Sequence, residues 1–169
     1  MGLLLVYTGN GKGKTTAALG VLLRALGHGL RSCTVQFLKG KWKTGERNFA
    51  ESHGLEWHMM GHGFTWDSKD VDRDRQMVRE AWTLAEERIL SGSYDLVILD
   101  EVCYALHYGY LGCEEVLETL RRRPVELNVI LTGRNAPEAL VEAADLVTEM
   151  REIKHPYKKG TPASRGIDF

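Results

Sequence analysis

Eight residues near the start of the chain, Thr8-Gly9-Asn10-Gly11-Lys12-Gly13-Lys14-Thr15, have the types and spacing of an anion cradle. Their glycines let the backbone wrap tightly, so that successive N–H groups converge on one negatively charged group. A helix beginning near Lys14 adds its positive N-terminal end, the Lys14 ammonium can reach phosphate oxygens, and the Thr15 hydroxyl can ligate Mg2+. The run departs from the pattern G-x-x-x-x-G-K-[ST] at one point: Thr8 stands where the first glycine belongs, and Gly9 follows it. An apolar run before the loop and helical spacing after it select a phosphate loop over a chance glycine-rich turn. Nucleotide binding is therefore expected at Gly9, Asn10, Gly11, Lys12, Gly13, Lys14, Thr15 and Thr16.

A second element, Leu96-Val97-Ile98-Leu99-Asp100-Glu101, is an apolar strand that delivers two carboxylates at its carboxyl end. Open α/β sheets place ligands at that edge, and Mg2+ takes few protein carboxylates while keeping several waters. Asp100 or Glu101 can hold the ion, directly or through water, and residue types do not choose between them. Leu131-Thr132-Gly133-Arg134 ends the next strand at the same edge. There Arg134 has the planar donor fork that suits phosphate, although an arginine on a surface loop is an equal alternative.

Two histidines, His58 and His62, are four apart, but with no cysteine or carboxylate at ligand spacing they read as scattered structural or solvated residues. Phe64 and Trp66 lie in a polar, glycine-bearing segment and form no periodic core stripe. From residue type alone, such rings more commonly cap a small hydrophobic cluster.

The elements that must position these groups alternate between strand-like and helix-like runs. Strands are expected at residues 3–8, 32–38, 55–60, 96–99, 129–131 and 146–150, and helices at 15–26, 45–53, 71–90, 114–120 and 137–144. Residues 61–74 read as a loop over the sheet edge, the charge run at 70–75 as a solvated helix face, and 154–169 as a basic irregular tail. The alternation predicts one α/β domain spanning 1–169: a single open, mostly parallel sheet with helices on both faces, in the manner of RecA-like phosphate-loop proteins. Hydrophobic residues make up 43% and charged residues 27%, with a formal net charge of -1. No bulk field recruits nucleic acid or an anionic membrane, so any polyanion must be bound by a local set of donors. Three cysteines without a CxxC pair argue against a disulfide framework or a four-ligand zinc site and suit a cytoplasmic location. No run approaches the ~20 apolar residues of a membrane span.

Taken together, the residues become specific. Gly9-Asn10-Gly11-Lys12-Gly13-Lys14-Thr15-Thr16-Ala17-Ala18, Val35-Gln36-Phe37-Leu38-Lys39-Gly40, Gly61-His62-Gly63-Phe64-Thr65-Trp66, Leu99-Asp100-Glu101, Leu131-Thr132-Gly133-Arg134-Asn135-Ala136-Pro137 and Gly166-Ile167-Asp168-Phe169 resemble, in order, the bacterial ATP:corrinoid adenosyltransferases. The resemblance covers essentially the whole chain. It implies that a Co(I) corrinoid attacks the 5′ carbon of ATP and releases triphosphate, forming adenosylcobalamin or a precursor from cob(I)alamin or cob(I)yrinic acid a,c-diamide. It implies ATP bound in reverse, its γ-phosphate deep in the loop, with Lys14, Arg134 and Mg2+ or Mn2+ on Thr15 and Glu101 neutralising the leaving triphosphate. Phe64 and Trp66 would pack under the corrin and exclude its lower ligand, which eases reduction of Co(II). The resemblance also implies a homodimer and an electron-donating flavoprotein reductase. Family members often carry an extension ahead of the first strand that helps cover the site, whereas this chain starts almost at that strand. Two rival classes share the phosphate loop: a RecA-like ATPase, for which Glu101 would activate water, and a small kinase, which would need an arginine-rich lid.

Overall fold

A computed structural model describes residues 1–37, 44–60 and 71–168. Six strands form one sheet: β1 (Leu4–Thr8), β2 (Ser32–Gln36), β3 (Glu56–Met59), β4 (Leu96–Asp100), β5 (Asn128–Thr132) and β6 (Leu146–Glu149). Their spatial order is β3-β2-β4-β5-β1-β6, and every neighbouring pair is parallel. The central strand β4 is buried at all five positions. A continuous apolar run is required there because helices cover both faces.

The faces are covered unequally. Helix α1 (Lys14–Gly27) places Ala18, Leu22 and Ala25 on one face, over Tyr7, Leu96, Ile98 and Ile130. A larger core fills the other face. There α3 (Val71–Leu90) contributes Val78, Ala81, Trp82, Ala85 and Ile89, and α5 (Cys113–Arg121) contributes Val116, Leu117 and Leu120. In the chain α4 (Val102–His107) follows β4 and α6 (Glu138–Ala143) follows β5, while the short α2 (Gly45–Ser52) precedes β3. The alternation of β4 and β5 residues between the two cores follows the two-residue period of a strand, with Val97 and Leu99 on one face and Ile98 on the other.

The sheet and its six strands follow the expected pattern, with four differences. First, α4 has no counterpart in the sequence reading. It is only six residues long and directly follows a strand, so no helical period can develop. Second, at residues 71–74, where the loop and helix expectations overlapped, the helix holds: they are the first turn of α3, and Asp72 and Asp74 suit its positive end. Third, Asp74 is buried rather than part of a solvated face. Fourth, the tail contains a one-turn 3-10 helix at Pro156–Lys159. Leu38, at the expected end of β2, lies outside the described residues.

At the outer edge, β3 is fastened by a polar staple. Glu56 accepts hydrogen bonds from Arg88 Nε at 2.7 Å and from the Tyr94 hydroxyl, and its Oε1 lies 2.9 Å from His58 Nε2. Partial burial pushes the Glu56 carboxyl up, but the bonds from His58, Tyr94 and Arg88, with the Arg88 charge, outweigh it and hold the group at about 2.

Because Leu131 is fully buried in β5 between the nucleotide-side strands, Leu131→Ala should lower unfolding free energy by about 2–5 kcal/mol, read as a shifted urea midpoint.

Candidate functional site

The loop between β1 and α1 is held open from both ends of the chain. Met150, just past β6, donates its N–H to the Thr8 carbonyl at 2.8 Å and accepts the Gly11 N–H at 2.6 Å. The backbone of Met150 and Arg151 therefore forms a wall against the loop. A Cβ on Gly9 would sit 2.5 Å from the Met150 carbonyl oxygen, and Gly9 has φ 93°, so both space and conformation demand glycine. Thr8 also gains a structural reason. Its hydroxyl accepts the Ala136 N–H at 3.2 Å and ties the loop to the turn after β5, a contact that a glycine could not make.

Lys14 opens α1 and is 7% exposed. Its ammonium donates to the Gly9 and Gly11 carbonyls, both at 2.8 Å, so the loop closes around its own cation. Burial lowers the Lys14 pKa from its ordinary value; the Arg134 charge adds to this, while Glu101, Cys103 and Asp100 oppose it. A bound anion would relieve that cost.

Asp100 and Glu101, adjacent in sequence, are treated differently. Asp100 is 1% exposed, and its Oδ1 accepts from Thr15 Oγ1 at 2.9 Å and from Thr132 Oγ1 at 2.7 Å. Its Oδ2 accepts from Gln36 Nε2 at 2.9 Å. Glu101 turns out instead: it has φ 62°, in the left-handed region that non-glycine residues enter at a cost, and its N–H donates to Thr132 Oγ1 at 2.9 Å. That kink ends β4, starts α4 and aims Glu101 into the cavity.

The cavity, of about 1170 Å³, is lined by the loop from Gly11 through Ala17, by Glu101 and Arg134, by Gly45 and Glu46 at the start of α2, and by the turn Gly166–Asp168. It is at or beyond the upper end of small-ligand pockets, which run about 300–1,000 Å³. Lys12 reaches across it to pair with Asp168, whose Oδ2 accepts the Ser164 N–H at 2.7 Å. The structure thus brings Lys12, Lys14, Thr15, Thr16, Glu101 and Arg134 to one space, with Asp100 behind Thr15. The oxygen set of one hydroxyl and two carboxylates fits a hard divalent cation such as Mg2+. Phe64, Trp66 and His62 lie outside the described residues. Sequence reasoning assigned no role to Gln36, Thr132 or Asp168; the signal for Gln36 was an amide at the end of a strand that leads, like β4, to the carboxyl edge of the sheet.

Among the described residues, one other cluster has metal-binding types: the ligand atoms of Cys33, Glu56 and His58 lie within 4.8 Å of one another. The Arg88 guanidinium already neutralises Glu56 there, and burial followed by the Glu56 charge pushes the Cys33 thiol up to about 12. Both oppose a cation, so the cluster is a staple for β3.

A family model described as ATP:corrinoid adenosyltransferase BtuR/CobO/CobP matches residues 1–169. A corrinoid adenosyltransferase of Escherichia coli strain K12 is 46% identical over 168 residues, covering 99% of this chain and 86% of that protein. One from Salmonella typhimurium is 43% identical over 168 residues, with the same shares. The flagellar accessory protein FlaH of Methanocaldococcus jannaschii aligns with a TM-score of 0.57 over 87% of this chain and 70% of that chain. At 11% identity it bears on the fold alone.

Gly11→Ala would drive a Cβ to 2.8 Å from the Arg151 carbonyl. It should weaken ATP binding, measured by calorimetry, at least about tenfold, because displaced backbone amides lose charge-assisted bonds to phosphate.

Proposed function

The chain belongs to the ATP:corrinoid adenosyltransferases BtuR/CobO/CobP, and from that premise we propose how its cavity serves the transfer of an adenosyl group from ATP to a corrinoid. ATP lies with its γ-phosphate deepest in the loop and its 5′ carbon toward the rest of the cavity. The cobalt of the reduced corrinoid substrate, as Co(I), supplies the electron pair for the new cobalt–carbon bond. The C5′–oxygen bond breaks, its electrons leave with the triphosphate, and the cobalt ends oxidised. The observation that carries this reading is that Lys14, Thr15, Glu101 and Arg134 line one cavity at the carboxyl edge of the sheet, beside the loop amides.

The leaving group gathers negative charge, so catalysis consists mainly of donors fixed in advance where that charge develops. The amide of Gly13, the N-terminal end of α1, and the Lys14 and Arg134 side chains do this. On phosphate binding, Lys14 exchanges the Gly9 and Gly11 carbonyls for phosphate oxygens. Thr15 and Glu101 would hold Mg2+ or Mn2+, with Asp100 orienting the Thr15 hydroxyl; when bound, that ion supplies further charge neutralisation for the triphosphate. Holding C5′ against the cobalt in a near-attack geometry does the rest. Phe64 and Trp66 serve as the surface beneath the corrin, a role that rests on the family resemblance. A homodimer, a flavoprotein electron donor and a cytoplasmic setting complete the proposal, the last supported by the three free cysteines. No helix among the described residues is long and apolar enough to cross a membrane.

Incubated with Mg-ATP, a corrinoid and a strong reductant, the protein should yield intact triphosphate and a new cobalt–carbon absorbance; ADP as product would overturn the reading in favour of a kinase or ATPase. Lys14→Met should lower kcat/KM about 100-fold or more. Phe64→Ala or Trp66→Ala should impair turnover from Co(II) more than from pre-formed Co(I), and equal losses would refute the role of the rings.

A further inference from the structure

Gln36 is the last residue of β2, fully buried, and not part of the cavity wall. A primary amide in that position must satisfy both of its ends internally. Its Nε2 donates to Asp100 Oδ2 at 2.9 Å, and its Oε1 accepts from Trp57 Nε1 at 3.0 Å. Chemistry fixes which end is which. The indole N–H only donates and the carboxylate only accepts, so a flipped amide would face like against like at both ends. Trp57 thus sets the orientation of Gln36, and Gln36 sets that of Asp100.

The backbone reinforces the arrangement. The Phe37 N–H donates to the Asp100 carbonyl at 2.9 Å, and the Met60 N–H donates to the Gln36 carbonyl at 3.0 Å. Gln36 is therefore joined to β4 and β3 by both its side chain and the adjoining main chain. On the far side of the carboxylate, Oδ1 holds the Thr15 hydroxyl, so an amide on one oxygen fixes the angle at which the other meets the phosphate loop.

We propose that Gln36 is a positioning residue for the nucleotide site: held by the Trp57 indole, it locks the Asp100 carboxylate in the orientation that aims the Thr15 hydroxyl at the cation accompanying ATP. This rests on the reading of Thr15 and Asp100 as the cation end of the site. Gln36 touches neither substrate. Its contribution is confined to the part of ATP affinity that depends on the divalent ion, because the Lys14 and loop contacts do not pass through Asp100.

The test is ATP binding by calorimetry, with Mg2+ and with EDTA, on the wild-type chain and on Gln36→Met, Trp57→Phe and Asp100→Asn. Gln36→Met keeps the volume and removes both hydrogen bonds; Trp57→Phe removes only the indole donor. The expected result for Gln36→Met is a loss of about tenfold or more in the gain that Mg2+ gives to ATP affinity, with binding in EDTA changed less than about twofold. Groups that orient a metal's ligands carry effects of about 10–100-fold. Trp57→Phe should shift the same quantity in the same direction by a smaller factor, and it carries the test if Gln36→Met fails to fold. Equal losses with and without Mg2+ would reduce Gln36 to a structural spacer and overturn the proposal. An undiminished Mg2+ gain in Gln36→Met or in Trp57→Phe, alongside its loss in Asp100→Asn, would overturn the proposal alone. A gain that survives in Asp100→Asn would sink the reading of Asp100, and the role of Gln36 with it.

Discussion

A carboxylate buried at the end of a central strand is the constraint around which this protein is arranged. Asp100 is almost wholly removed from water, and an ionised group there is tolerated only if donors surround it. Those donors come from β2, β5 and the start of α1, which are far apart in sequence. Satisfying one charge therefore fixes the relative positions of three elements against β4. The parallel order of the sheet makes this possible, because β2, β4 and β5 run the same way and bring Gln36, Asp100 and Thr132 to one edge.

The two faces of the sheet divide the labour. The large core beneath α3 and α5 supplies most of the apolar burial, whereas α1 stands nearly alone on the opposite face. That helix has a second task, since its first turn, Lys14–Ala17, forms part of the cavity wall. Its seating over Ile98 and Ile130 sets the height at which Lys14 and Thr15 meet Asp100 and the cavity.

Much of this was legible in the residues. The six strands announced themselves because apolar runs between turn residues leave little choice in a two-sided sheet, and the phosphate loop because glycine, lysine and threonine converge at a strand–helix junction. The carboxylate pair was visible, but not its division: which residue turns inward depends on the left-handed backbone at Glu101, a conformation that no sequence period reports. The six-residue α4 escaped because it is too short for a helical period to develop. Thr8 looked like a defect in the motif until its bond to Ala136 gave it a purpose, and Gln36 was hidden because one amide at the end of a strand that already holds Ser32 and Thr34 does not stand out. Arg134, balanced between surface and site from its position alone, lies on the cavity wall. Phe64 and Trp66 are the part of the sequence argument that the described residues do not reach.

The wall formed by Met150 and Arg151 has a further consequence. The residues of the loop between β1 and α1 all lie within the first tenth of the chain, yet the surface that shapes them arrives about 140 positions later. A ribosome-bound fragment ending before β6 would possess every glycine and lysine of the cradle and still lack its shape. Competence to grip a nucleotide is in this sense a property of the finished sheet, and an early, locally folded loop would have nothing to close against.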